Sequence, residues 1–142
     1  YEGWPDREGM PSEMVFQLLL DGIDELQGDK KTPIAINCHG GVGRTGTTAI
    51  CHYFRRIVKE ERDAGKALSD IKINIPKQVI EFRKQRNFFV KHAVQIANIY
   101  SVLGHHFQKC ITEKYWKEPF QPHRMPTRQF IDYALKKGFL KS

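Results

Sequence analysis

Disulfide chemistry has little to work with in this chain: its three cysteines, Cys38, Cys51 and Cys110, are too few and too odd in number for a cross-linked framework. That scarcity points to a reducing compartment, so the cytoplasm is the expected location, a host cytoplasm if a bacterium delivers the protein. No apolar run approaches the length of a membrane span. Tyr1 opens into Glu2, Gly3 and Trp4 with neither the basic nor the apolar region of a signal peptide, and none is expected in the residues given. Acids become scarce after the first helix pattern. Residues 1–29 hold eight acids and one base, Arg7, whereas residues 30–142 hold 22 Lys/Arg and eight acids, so the net charge of +7 conceals −7 followed by +14. A basic body of this kind can attract phosphorylated or otherwise anionic partners, while single cations such as Arg55, Arg56, Lys59 and Arg62 are expected to solvate a helix face.

What is present, 40% hydrophobic and 27% charged residues, suits one soluble globular domain. Between Pro11 and Gln27 the apolar residues Met14, Val15, Leu18, Leu19, Ile23 and Leu26 recur at helical spacing, with Ser12 at the start. Pro33-Ile34-Ala35-Ile36-Asn37 is short, apolar and β-branched, and reads as a buried strand running into a glycine-rich turn. A long helix carrying Ala49, Ile50, Tyr53, Phe54, Ile57 and Val58 follows and ends near Ala64-Gly65. After a polar connection over 66–72, Pro76 opens a helix with Val79, Ile80 and Phe82, and another helix runs from about Lys91 to about Lys109. Pro119, Pro122 and Pro126 mark a connector, and 128–137 reads as a last helix stopped by Gly138. One strand cannot make a sheet. The expectation is therefore an α/β fold, a central twisted sheet flanked by helices, with most strands supplied by an upstream part of the same domain or by a second chain.

The turn Cys38-His39-Gly40-Gly41-Val42-Gly43-Arg44-Thr45 concentrates the chemistry. Backbone N–H groups of a turn that opens a helix converge on an anion, and Gly40, Gly41 and Gly43 allow the required concave path. The same field favours a thiolate at Cys38. Arg44 can hold two phosphate oxygens in its planar fork, and the Thr45 hydroxyl can donate to the sulfur. A nucleotide-binding loop fits less well, because the lysine of a Walker-type loop is missing.

Cys38-x5-Arg44-Thr45-Gly46 resembles the signature loop of the protein tyrosine phosphatase superfamily. Tyr1-Glu2-Gly3-Trp4-Pro5-Asp6 resembles the mobile loop of its tyrosine-specific members, and Val79-x3-Arg83-x-Gln85-Arg86-x3-Val90-x4-Gln95 their arginine-rich helix and glutamine loop. The resemblance implies Cys38 as nucleophile, Asp6 as general acid and then base, Arg44 and residues 39–43 as phosphate cradle, and Gln95 as the residue orienting water. The family's other glutamine is replaced by Lys91, which cannot accept a hydrogen bond but can contact an anionic substrate. Asn37 stands where the family usually has histidine, and the segment between Asp6 and Pro11 is one residue longer than the usual pattern. His39 is expected to face outward, and at least one of Arg83 and Arg86 to form a structural salt bridge.

The expected activity is hydrolysis of phosphotyrosine in a protein substrate through a phosphocysteine intermediate, without metal or cofactor. Two alternatives stand beside it. One is an inositol phosphate or phosphoinositide phosphatase, and the other a catalytically silent phosphoprotein-binding domain. Nucleic acid is not an expected partner. His105, His106 and Cys110 place two metal ligands one turn apart but lack the third and fourth that zinc requires. Residues 1–110 are expected to form the C-terminal part of a catalytic domain, with 111–142 an extension packed on it.

Overall fold

The computed structural model describes residues 3–6, 10, 12–28 and 32–107. Within them lie four α-helices, α1 (Glu13–Gln27), α2 (Gly43–Asp63), α3 (Ile75–Gln85) and α4 (Ala93–Phe107), and a 3-10 turn at Leu68–Asp70 in the polar connection. The expected connector and last helix lie outside the described residues, as does Cys110. Each helix begins where local chemistry allows. Ser12 caps α1, its hydroxyl oxygen accepting from Val15 N–H at 3.1 Å. Asn74 caps α3 through Lys77 N–H at 3.0 Å, with Pro76 in the first turn, where its missing N–H costs no hydrogen bond. α2 has no side-chain cap: Val42 occupies that position, and the first turn's N–H groups are left for other acceptors.

The α/β expectation is overturned, because no strand or sheet is present among the described residues. Residues 32–38 carry no regular structure, and Ile34, 37% exposed, and Ala35 face water instead of a buried sheet interior. A short apolar β-branched run signals a strand only when a neighbour completes the hydrogen-bond ladder. None of the described segments pairs with this one.

The helices supply the core themselves. α2 packs along α4, and α1 lies against both. Phe16 and Leu20 of α1 meet Ile50, Phe54 and Val58 of α2 and Ile96, Ile99 and Leu103 of α4 in one buried cluster, joined by Ile73, Ile75 and Val79. Cys51 is fully buried, which pushes its thiol pKa far up and beyond use as a nucleophile. The charge asymmetry of the sequence is partly neutralised inside the molecule. Arg55, expected on a solvated face, instead reaches from α2 to Asp21 and to Asp24 (2.8 Å) on α1, and His52 Nδ1 lies 3.0 Å from the same Asp24. His105 Nδ1 lies 3.6 Å from Glu13.

Between α3 and α4 the chain turns sharply. Phe88 and Val90 are the non-glycine residues with positive φ among those described, at 61° and 55°. Such a conformation costs a bulky residue about 1–3 kcal/mol and persists where neighbours enforce it. Arg83 is one enforcer: its Nε donates to the Phe89 carbonyl at 2.7 Å and its Nη2 to the Val90 carbonyl at 2.6 Å. Burial lowers the pKa of Arg83, and its Nη1 is buried without a partner.

Candidate active site

Residues 39–42 form the turn that leads into α2, with Gly41 at φ 63°. The Gly41 N–H points at Cys38 Sγ from 3.2 Å. Cys38 is half-buried, and this burial on its own raises the thiol's pKa. The Thr45 hydroxyl and the backbone N–H groups of Thr45, Gly41 and Val42 more than offset it, holding the pKa down at about 7. Among these donors Gly41 has full hydrogen-bond geometry. The Thr45 hydroxyl lies near enough to favour the thiolate, yet it is buried without a well-formed hydrogen bond.

Arg44, in the first turn of α2, joins the loop to the Trp-Pro-Asp segment. Its Nη1 donates to the Trp4 carbonyl at 2.6 Å and its Nη2 to Asp6 Oδ1 at 3.2 Å, while its Nε is buried without a partner. Asp6 remains 58% exposed on its side chain. Trp4 is what anchors this segment: it is buried, with its ring set edge-on against Phe16 of α1 at 5.2 Å. A cleft of about 270 Å³ opens beside these groups, lined by Trp4, Ile36, Cys38, Arg44 and Thr45 and, on the far side, by Leu19 and Ile23 of α1.

The segment before α4 holds the loop from behind. Val90 N–H donates to the Val42 carbonyl at 2.9 Å, beside the first helical bond from Gly46 N–H at 3.2 Å. Gly46 is required for this approach, since a Cβ there would lie 2.6 Å from the Val90 backbone nitrogen. A Cβ at Gly43 would meet the Gln95 side-chain nitrogen at 2.6 Å. Gln95 itself is buried, and its side-chain Oε1 accepts from His92 N–H at 3.1 Å while the Gln95 backbone N–H donates to the His92 carbonyl at 3.0 Å. Arg86 Nη2 lies 3.4 Å from the Gly40 carbonyl. Lys91 and His39 are exposed.

The fold thus brings together Cys38, Gly41, Val42, Arg44, Thr45 and Asp6, with Gln95 packed under Gly43. Lys91, His39 and Gly40 are exposed. Arg83 and Arg86 bond to backbone carbonyls and form no salt bridge among the described residues. Sequence reasoning missed the Phe88–Val90 turn and the space requirement at Gly46. No spacing rule announces a left-handed phenylalanine, although Gly46 lay within the quoted signature.

A family model described as protein-tyrosine phosphatase matches residues 1–105, and the chain belongs to that family. Tyrosine-protein phosphatase 1 of Dictyostelium discoideum is 38% identical over 71 residues, covering 40% of this chain and 14% of that protein. Human tyrosine-protein phosphatase non-receptor type 18 is 29% identical over 109 residues, covering 75% of this chain and 22% of the relative. Tyrosine-protein phosphatase corkscrew of Drosophila virilis is 28% identical over 123 residues, covering 80% of this chain and 15% of the relative. The chain spans less than a quarter of the length of these relatives. No solved structure matches it significantly. No described helix is long and apolar enough to cross a membrane.

Proposed function

We propose that this chain hydrolyses phosphotyrosine in protein substrates through a phosphocysteine intermediate, acting in the cytoplasm. One observation carries the reading: Arg44, whose Nε has no partner, ties the expected acid Asp6 to the loop that holds the Cys38 sulfur. In the first step Sγ attacks phosphorus, the P–O bond to tyrosine breaks, and Asp6 gives its proton to the departing phenolic oxygen. The loop N–H groups and Arg44 balance the charge on the transferred phosphoryl group. In the second step water attacks phosphorus, the S–P bond breaks, and Asp6 takes the water's proton. Gln95, packed against Gly43, is assigned the orientation of that water, and Lys91 a rim contact to anionic substrate.

Exposed Lys91 and Arg86 favour a second reading, an inositol phosphate or phosphoinositide substrate. Phosphate release from a phosphotyrosyl peptide and from an inositol polyphosphate, measured side by side on the full chain, separates the two. In the same assay Cys38→Ser is expected to abolish release from para-nitrophenyl phosphate while inorganic phosphate still binds. Undiminished release by that variant would falsify the mechanism.

A further inference from the structure

The C-terminal ends of α1, α2 and α4 leave a groove of about 310 Å³ between them, and it shares no lining residue with the cleft at Cys38. Its apolar part is Val58, which is buried, and Phe107, which packs on the core at the last turn of α4. Asp24 and Arg55 also line it, but their charges are engaged with each other and with His52 and Asp21. Arg56 joins α2 to the end of α1, its Nη1 donating to the Gly28 carbonyl at 2.8 Å. Lys59 and Arg62 follow at a spacing of three and are exposed. Lys59 Nζ lies 3.0 Å from Asp63, an exposed pair of the kind that costs little to rearrange.

Charge is segregated along this stretch of α2. The four charged residues that line the groove between positions 55 and 63 are basic, whereas Glu60, Glu61 and Asp63 lie outside the lining. Each helix end contributes about half a negative charge, and three such ends do not cancel four cations set against Asp24. An apolar base beneath basic side chains complements an anion with an apolar tail. The volume lies at the small end of ligand pockets, about 300–1,000 Å³, and is too narrow for a helix about 10 Å across. The chain's own residues 108–142 are a poor electrostatic match, since they carry eight Lys/Arg and three acids.

We propose that this groove binds a medium-chain fatty acid, its carboxylate at Lys59 and Arg62 and its alkyl tail against Val58 and Phe107. The site is independent of the chemistry at Cys38 and stands or falls without it.

The test is calorimetric titration of the full chain with decanoate, which is expected to show one saturable site. Octanoate, shorter by two CH₂ groups, is expected to bind about 15-fold more weakly, because each buried CH₂ contributes about fourfold. Decanol keeps the tail and lacks the charge, and is expected to bind about fivefold more weakly, the upper scale for a partly exposed ion pair. Combining Lys59→Gln with Arg62→Gln, both at exposed positions, is expected to bring decanoate down to the affinity of decanol. A decanoate site that survives this double variant unchanged lies elsewhere and overturns the inference. Equal affinity of the wild type for decanoate and decanol does the same. So does the absence of saturable binding, whether residues 108–142, a second copy or nothing occupies the groove.

Discussion

At Cys38, burial and hydrogen bonding push in opposite directions, and the second wins. The net pKa of about 7 carries a pH signature. Alkylation by iodoacetamide, which needs the thiolate, is expected to rise with pH through a midpoint of about 7. Thr45→Ala removes one of the donors that favour the anion, and its midpoint is expected to move up toward the ordinary thiol range. An alkylation profile centred in that ordinary range in wild type would show that the loop does not gather its N–H groups in solution. Because the folded pKa is depressed, the thiolate favours the folded state above the unfolded thiol pKa, and the contribution is lost as pH falls through about 7. Cys38, Arg44 and Asp6 were legible in the sequence because a thiol, a guanidinium and a carboxylate have few other reasons to stand at these spacings beside glycines and Trp-Pro. Phe88 was not legible. Its left-handed φ of 61° is a property of the backbone that residue type does not reveal.

Among the elements, α2 carries the site and the segment before α4 keeps it in shape. Gly46 is where the two meet: a methyl group there falls 2.6 Å from the Val90 nitrogen, so one backbone must retreat. Gly46→Ala is expected to lower the urea midpoint by the equivalent of about 1–3 kcal/mol and to lower activity with it. Ser12→Ala makes the contrast. Loss of the α1 cap is expected to cost about 1 kcal/mol in the same unfolding experiment, with the pH of half-maximal Cys38 alkylation unchanged. Equal effects of the two variants on activity would mean that the Val90 contact does not govern the loop. The helices themselves were readable from apolar periodicity and from Ser12 and Pro76. The strand at 33–37 was misread because Ile34 and Ile36 report only preference, whereas a strand exists through its neighbour. That neighbour is not among the described residues.

Across the whole molecule, charge is arranged in two tiers. Acids of α1 meet Arg55 and His52 of α2, which uses up part of the early negative charge internally. The later excess of bases is not cancelled, and the chain keeps +7 overall. Among the described residues around the candidate site, the exposed cations Arg86 and Lys91 stand with the acid Asp6, itself turned to Arg44. A field of that sign attracts anions toward the loop and is screened once the Debye length falls to about 10 Å near 0.1 M salt. Raising sodium chloride from about 0.02 to about 0.3 M is therefore expected to raise KM for a phosphotyrosyl peptide flanked by glutamates several-fold, leaving kcat nearly constant. A peptide with neutral flanks should change less, since it offers only its phosphate to the field. Lys91→Gln, which removes one rim charge, should flatten the salt dependence of the acidic peptide more than that of the neutral one. Parallel salt curves for the two peptides would mean that the basic excess acts on phosphate alone and takes no part in choosing the sequence around it.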